Sequence, residues 1–217
     1  RRITSNIKKV FLYLLAGNIV EVILVFASML MNMEMFTTLQ LLWINLVTDS
    51  IPAIMLAFEK CDKDVMENTP SNRNNTSFFT PFLVAKIAIS AIVKSLIMLV
   101  LFIYYAKTYD ANTAGSLMFI FLIANELLYS LSCRNLKKSV LNKNIFDNRR
   151  LSIGLMCLLL VQIIVLTTKI SKFFIVDNIG INNVFITLGI CILLFILGEL
   201  VKPLYVKLFK DYSEVKK

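Results

Sequence analysis

Residues 40–53 read QLLWINLVTDSIPA and determine how the whole chain is interpreted. This apolar stretch carries Asn45, Thr48 and Asp49 at positions i, i+3 and i+4, which places an amide, a hydroxyl and a carboxylate on one face of a helix. Pro52 follows within one turn. Because proline has no N–H, it leaves the carbonyl of Thr48 without its usual helical partner. The segment therefore predicts a helix with an oxygen-rich stripe at its centre.

The composition on either side of this segment is that of a membrane protein. Of the 217 residues, 58% are apolar and 17% are charged, whereas soluble domains are closer to half apolar and a quarter charged. A spanning helix needs about 20 apolar residues, and the apolar runs lack the two-residue alternation of barrel strands. We predict an all-α polytopic membrane protein, a single domain over residues 1–217 that forms a bundle of six transmembrane helices. The approximate helices are 10–30, 38–58, 82–105, 115–133, 151–168 and 184–201.

Other classes of protein are excluded by the same composition. The sequence is too apolar to be disordered and lacks the repeats of collagen. Its 4 cysteines lie far apart and it has no histidine, so a disulfide scaffold, a zinc site and histidine-based catalysis are poor candidates.

The basic residues predict the orientation of the bundle. Most of the 23 lysines and arginines flank the termini or lie in every second loop. The opposite loops hold only Lys107, Lys169 and Lys172. Because cytoplasmic loops are enriched in Lys and Arg, both termini are predicted to be cytoplasmic. The net charge of +9 is then explained by topology and by contact with the lipid bilayer, and we expect no nucleic-acid partner.

Two further spans carry polar residues that a membrane helix usually avoids. Glu21 lies in the middle of the first helix with Asn18 on the same face, and Glu126 lies near the middle of the fourth helix beside Asn125. A lone carboxylate at the bilayer centre costs at least about 2.5 kcal/mol, so each should face inward and be paired, protonated or bound to a cation. For the uncharged Asn18, Thr48 and Asn125, simple hydrogen bonding between helices is an equally good explanation.

The polar set has the chemistry of a site for a hard cation. Carboxylate, amide, hydroxyl and backbone oxygens suit Ca²⁺, Mg²⁺ or Mn²⁺, or Na⁺ and protons, and do not suit copper or zinc. Up to three negative charges would match one or two divalent ions, with protons replacing them in the empty site. We therefore predict reversible ion binding and no catalytic residues. The predicted metal ligands are Asn18, Glu21, Asn45, Thr48, Asp49 and Glu126.

Two stretches carry a family resemblance. One is RITSNIKK at residues 2–9 leading to GNIVE at 17–21, and the other is residues 40–53 continuing to LAFE at 56–59. In these stretches the chain resembles the carboxy-terminal membrane region of P-type cation-transporting ATPases, in the branch of the calcium pumps. It corresponds to their fifth to tenth transmembrane helices, with Asn125 and Glu126 as the best anchor in the later helices.

The resemblance implies roles for the predicted ligands. Asn18 and Glu21 match positions in the family's fifth helix, and Asn45, Thr48 and Asp49 match positions in its sixth helix; there they bind two calcium ions, which the aspartate bridges. Glu126 matches a glutamate of the eighth helix that completes the first site. The first, second and fourth helices of this chain would thus supply ion-binding oxygens.

The identity of the ion stays open at this point. Asn45 favours Ca²⁺, since sodium/potassium pumps carry an aspartate there, whereas the tract LAFEK at residues 56–60 resembles those pumps. Mn²⁺, Na⁺ and H⁺ are therefore alternatives.

The resemblance also implies partners outside this chain. The family's motifs DKTGT, TGES and GDG are absent from it. We expect a fragment or a truncated product that cannot hydrolyse ATP alone, with ATP and Mg²⁺ acting only through other domains. Its partners would be the first four membrane helices and the actuator, phosphorylation and nucleotide domains of the pump.

The resemblance also implies a location and a movement. We expect the protein to lie in the plasma membrane of a bacterium. Phosphorylation would move the first helix, separating Asn18 and Glu21 from the ligands of the second.

Two alternative functions are compatible with the sequence. An ion-coupled secondary transporter could use the same carboxylates without ATP, but it predicts inverted repeats that are not visible here. A truncated, non-catalytic membrane subunit is the other. An upstream coding sequence containing DKTGT would favour the pump, and a start codon just before Arg1 would favour the subunit.

Two lysines in the third helix are unusual for a membrane span. Lys86 can extend to the cytoplasmic interface. Lys94 lies about 12 Å deeper at 1.5 Å per residue. It either neutralises a carboxylate, which would reduce the number of bound ions, or lies in a protein-lined gap. We favour the second interpretation.

Overall fold

A computed structural model of the protein describes residues 2–59, 80–136, 139–141, 149–176 and 179–214. These residues form helices and no strands, which confirms the all-α prediction. In chain order the helices are α1 (Arg2–Leu30), α2 (Thr38–Trp43), a π-helix (Ile44–Asp49), α3 (Ser50–Ala57), α4 (Pro81–Thr108), α5 (Ala111–Cys133), α6 (Arg149–Thr167), a 3-10 helix (Lys169–Phe174) and α7 (Ile181–Glu214).

Five of the helical segments are long and apolar enough to cross a membrane. They are Ile3–Leu30, Thr38–Ala57, Pro81–Thr108, Ala111–Cys133 and Ile181–Leu204. The remaining predicted span is apolar but shorter, at Leu151–Thr167. The protein is thus a polytopic membrane bundle. Most of the loops whose charges predicted the orientation fall within 60–79 and 142–148, outside the described residues, and the orientation stays a prediction.

Side-chain caps set where several helices begin. Thr37 and Gln40 form a capping box at α2, in which each side chain bonds the backbone N–H of the other residue. Thr80 caps α4 and is followed by Pro81, whose missing N–H costs nothing at the first helical position. Asp110 caps α5, and the hydrogen bonds that Thr113 donates to it hold the pKa of its carboxyl below the ordinary value.

Helix α5 is the centre of the bundle. It is buried along most of its length and packs against α1, α3, α4, α7 and the π-helix. Its start lies very close to the loop between α1 and α2, because a Cβ atom at Gly115 would lie only 2.9 Å from the carbonyl oxygen of Met35 in that loop. Only glycine fits this position without a backbone shift.

A polar network joins α7 to the loop that follows α5. Glu199 and Lys202 are both buried and form an ion pair. The Glu199 carboxylate also accepts hydrogen bonds from the Ser132 and Ser139 hydroxyls and from the backbone N–H of Val140. Lys202 donates to the carbonyl of Ser132 at 2.7 Å.

A second polar contact joins the start of α1 to the end of α3. The Asn6 amide donates hydrogen bonds to the backbone carbonyl oxygens of Ala57, at 3.0 Å, and Glu59, at 2.8 Å. The Glu59 side chain in turn pairs with Arg134 at the end of α5, at 3.1 Å. These contacts hold the start of α1 and the ends of α3 and α5 together.

Candidate cation site between α1, the π-helix and α5

The oxygen-rich stripe adopts a π-helix from Ile44 to Asp49 instead of a continuous α-helix. In this wider turn the Ser50 hydroxyl donates to the carbonyl of Asn45 at 3.2 Å. The carbonyl of Thr48 cannot pair with Pro52, which has no N–H, and instead lies 3.4 Å from the hydroxyl of Tyr13. Single π turns inside α-helices are frequent at functional sites.

Glu21 and Asn45 connect α1 directly to the π-helix. The Asn45 amide donates to the Glu21 carboxylate at 2.7 Å and to the carbonyl of Leu41 at 3.0 Å. Glu21 is buried, with 8% of its surface exposed. The predicted inward orientation of Glu21 agrees with this position.

Asp49 and Thr48 are the two buried polar residues of the π-helix. The fully buried Tyr13 hydroxyl donates to the Asp49 carboxylate at 3.3 Å. Sequence reasoning missed Tyr13, although a signal was available. Tyr13, Gly17 and Glu21 follow one another at intervals of four residues, so they lie on one face of α1.

Glu126 projects from α5 toward the same face of α1. Only 1% of its surface is exposed, and neither carboxylate oxygen has a hydrogen-bond partner among the described residues. A Cβ atom at Gly17 would lie 3.2 Å from Glu126 Oε2, so the glycine provides the space that the carboxyl group occupies. A buried carboxyl group without a partner is costly, which indicates that something else interacts with it in the working protein.

The three acidic side chains are electrostatic neighbours. Asp49 interacts with both Glu126 and Glu21, and Glu21 interacts with Glu126. They come from α1, the π-helix and α5. Like charges this close repel one another in a medium of low dielectric constant, and a bound cation or protons would relieve that repulsion.

The arrangement is not a closed metal cage. Across the described residues, no group of three or more carboxylate or cysteine side chains lies close enough to hold one ion. A bound ion would thus need amide, hydroxyl or backbone oxygens in addition, which are ligands that Ca²⁺ accepts.

Asn18 is exposed, and the structure records no contact between it and the other predicted ligands among the described residues. Its side chain is exposed on the surface of α1, although Glu21 three residues later is buried. Asn45 is also exposed overall, although its side-chain amide donates a hydrogen bond to Glu21. The site is thus open on one side within the described chain.

The chain is similar to proteins that transport calcium. Residues 33–204 match the family described as cation transporting ATPase, C-terminus. A calcium-transporting ATPase of Listeria monocytogenes is 32% identical over 213 residues, which cover 97% of this chain and 24% of that protein. Calcium-transporting ATPase 1 of Bacillus cereus is 28% identical, covering 93% of this chain and 25% of that protein. The human calcium-transporting ATPase type 2C member 1 is 27% identical, with 92% of this chain and 22% of that protein covered. The chain thus spans about a quarter of the length of these relatives.

Proposed function

This chain belongs to the cation-transporting ATPase family, whose carboxy-terminal region it matches, and from that premise we propose that it is the carboxy-terminal membrane part of an ATP-driven Ca²⁺ pump. The observation that carries the proposal is the convergence of Glu21, Asp49 and Glu126 from three helical elements in the interior of a membrane bundle. Acidic side chains inside a membrane domain mark ion pathways, because an unused charge there is costly.

In this proposal the ion binds between α1, the π-helix and α5. Asp49 is the central ligand, with Glu21 on one side and Glu126 on the other. The ligand set is Asn18, Glu21, Asn45, Thr48, Asp49 and Glu126. The exposed position of Asn18 suits a ligand that completes the site together with helices outside this chain.

Calcium is the cargo that the oxygen chemistry and the relatives support best. Ca²⁺ takes six to eight oxygen ligands in flexible geometry, so it tolerates a mixture of carboxylate, amide and backbone oxygens. The relatives at 32%, 28% and 27% identity are all calcium-transporting ATPases by name. Mn²⁺, Na⁺ and H⁺ are the alternative cargoes.

Transport would depend on movement of α1 relative to the π-helix. The Asn45–Glu21 hydrogen bond spans these two elements, so a shift of α1 separates oxygens that would otherwise share one ion. Affinity then falls because the two conformations hold different sets of ligands. ATP and Mg²⁺ would act in actuator, phosphorylation and nucleotide domains outside this chain. Four further membrane helices would complete the bundle, in the plasma membrane of a bacterium.

The experiment replaces Asp49 in the full-length natural protein. Asp49→Asn keeps the size of the side chain and removes its charge, so we expect Ca²⁺-dependent phosphorylation by ATP to be lost. Asp110→Asn is the matched control, because Asp110 is an exposed helix cap and asparagine caps equally well. Phosphorylation and its calcium dependence should be unchanged in this control.

The folded state of both variants is checked by size-exclusion chromatography and thermal unfolding in detergent. Normal calcium activation of a folded Asp49→Asn variant would overturn the site. Calcium uptake into vesicles that is driven by an ion gradient without ATP would overturn the pump in favour of a secondary transporter.

A further inference from the structure

A cavity of about 320 Å³ lies between α4, α5 and α7, beside the candidate cation site. Its wall is largely apolar, with a polar strip of several donors. The polar strip consists of Lys86, Ser90, Lys94, Asn125, Tyr129, Ser132 and Lys202.

Three of these side chains, Lys94, Asn125 and Tyr129, carry a buried polar atom that has no hydrogen-bond partner among the described residues. The Lys94 ammonium nitrogen is buried, has no hydrogen-bond partner among the described residues, and lies 3.3 Å from the centroid of the Tyr129 ring. Asn125 is 6% exposed, and its amide nitrogen has no partner within the same part of the chain. Ammonium and amide N–H groups only donate, so the missing partner is an acceptor.

Among the described residues, three lysines line the cavity, and no aspartate or glutamate does. Lys202 is compensated by Glu199. Lys86 donates to the neutral carbonyl of Leu136 at 3.2 Å, and neither Lys86 nor Lys94 forms an ion pair with a carboxylate of the described residues. Glu126 acts on Lys94 electrostatically without bonding to it. The acceptor that fits this cavity is therefore anionic.

The cavity opens between α4 and α7, on a surface that the other described helices do not cover. Val93 of α4 and Leu197 of α7 line it and are each 47% exposed. Both lie within candidate spans, so their exposed surface meets acyl chains. From Lys86 to Lys94 the cavity extends about 12 Å along α4, at 1.5 Å per residue.

We propose that this cavity binds an acidic phospholipid. The anionic phosphate oxygens accept hydrogen bonds from Lys94 and from Asn125, and an acyl chain lies along the apolar wall between α4 and α7. A free phosphate ion would match the donors but would leave the apolar wall uncovered. The proposal does not depend on the identity of the transported ion, because no residue of the polar strip is among the proposed ion ligands.

The test uses the full-length protein in nanodiscs made of phosphatidylcholine, with or without phosphatidylglycerol. Retained lipid is measured by native mass spectrometry, and stability is measured by thermal unfolding. The wild-type protein should retain phosphatidylglycerol and unfold at a higher temperature in its presence. Lys94→Met should lower the affinity for phosphatidylglycerol about tenfold, the effect of losing one charged hydrogen bond, and should abolish the thermal shift. Lys107→Met, an exposed lysine in the last turn of the same helix, should behave as wild type.

A second variant keeps the proposal testable if Lys94→Met does not fold. Leu197→Trp fills the cavity from its lipid-facing side and leaves every lysine in place, so it should also prevent retention of phosphatidylglycerol. Retention by folded Lys94→Met or by folded Leu197→Trp at the wild-type level would overturn the proposal.

Three further outcomes would also overturn it. A thermal shift produced by inorganic phosphate alone in phosphatidylcholine nanodiscs would assign the donors to a free anion. An equal loss of stability of Lys94→Met in both lipid compositions would assign Lys94 to compensation of Glu126. Normal calcium-dependent phosphorylation together with absent lipid retention would overturn the lipid site while leaving the pump intact.

Discussion

At the scale of single residues, Gly17 does most to shape the candidate site. The carboxyl group of Glu126 packs against its Cα, in space that any other side chain would fill. The same carboxyl group lacks a hydrogen-bond partner among the described residues, so both of its oxygens are available to an ion. Tyr13 lies one turn earlier on α1, and its hydroxyl donates a hydrogen bond to the Asp49 carboxylate.

We predict that Gly17→Ala lowers the apparent calcium affinity of the full-length protein. The added Cβ would lie 3.2 Å from Glu126 Oε2, so the carboxyl group must move away. The measurement is the calcium concentration that gives half-maximal phosphorylation by ATP, which should rise about tenfold, the equivalent of 1.4 kcal/mol.

Gly189→Ala on α7 is the matched control for this variant. A Cβ atom there meets nothing within 4 Å. Replacing glycine by alanine in a helix interior stabilises the helix by about 1 kcal/mol. It should leave the calcium dependence unchanged. Equal calcium dependence of the two variants would show that Glu126 does not contribute to ion binding.

At the scale of secondary structure, the second span is the decisive element. Its helix begins at a capping box, changes to a π-helix over Ile44–Asp49, and returns to an α-helix at Ser50. Pro52 contributes to this irregularity because it cannot pair with the carbonyl of Thr48. The span is anchored to α6 by the hydrogen bond from the Trp43 indole to Gln162, at 3.1 Å.

We predict that Pro52→Ala stabilises the protein and weakens calcium binding. Alanine supplies the missing N–H and is favoured over proline in a helix interior by about 3 kcal/mol, so the π-helix should relax toward an α-helix. The orientation of Asp49 relative to Glu21 would then change. Thermal unfolding should occur at a higher temperature, and half-maximal phosphorylation should need more calcium.

Pro81→Ala is the control for this variant. Pro81 occupies the first turn of α4, where a missing N–H has no helical partner, so both measurements should change little. If Pro52→Ala left the calcium dependence at the wild-type value, the π-helix would have no role in ion binding.

At the scale of the whole molecule, buried polar contacts hold the helices in one arrangement at the ends of the bundle. Asn6 joins α1 to the end of α3, and Arg134 joins that point to α5. The Glu199 network attaches α7, most of which is not buried by the other described helices, to the loop after α5. Because α7 buries little apolar surface against the other described helices, this network is a large part of what positions it.

We predict that Glu199→Gln destabilises the folded protein by about 3–5 kcal/mol. The change leaves the Lys202 ammonium buried without a counter-charge, which is the costly way to break a buried ion pair. Thermal unfolding in detergent should reveal the loss. Glu34→Gln is the control, since Glu34 is exposed between α1 and α2 and its exchange should stay within about 0.5 kcal/mol of wild type. Equal stability of the two variants would contradict the role assigned to the network.

The class of fold and the identity of the unusual residues were accessible from the sequence alone. Apolar runs of membrane length predict helices because lipid leaves no other way to satisfy the backbone, and that holds whatever the neighbouring helices are. Carboxylates within those runs are conspicuous for the same reason, and so Glu21, Asp49 and Glu126 were found without a structure.

Only the tertiary structure decided which of these groups meet. It placed Glu126 against Gly17 and Tyr13 beside Asp49, and it left Asn18 on an exposed surface. The π-helix changes which side chains of the second span face α1, and the donors around Lys94 share a cavity through the packing of three helices. Each of these outcomes depends on the rotation of one helix against another, which is set by side chains far apart in the chain. Local hydrophobicity and spacing carry no information about that rotation.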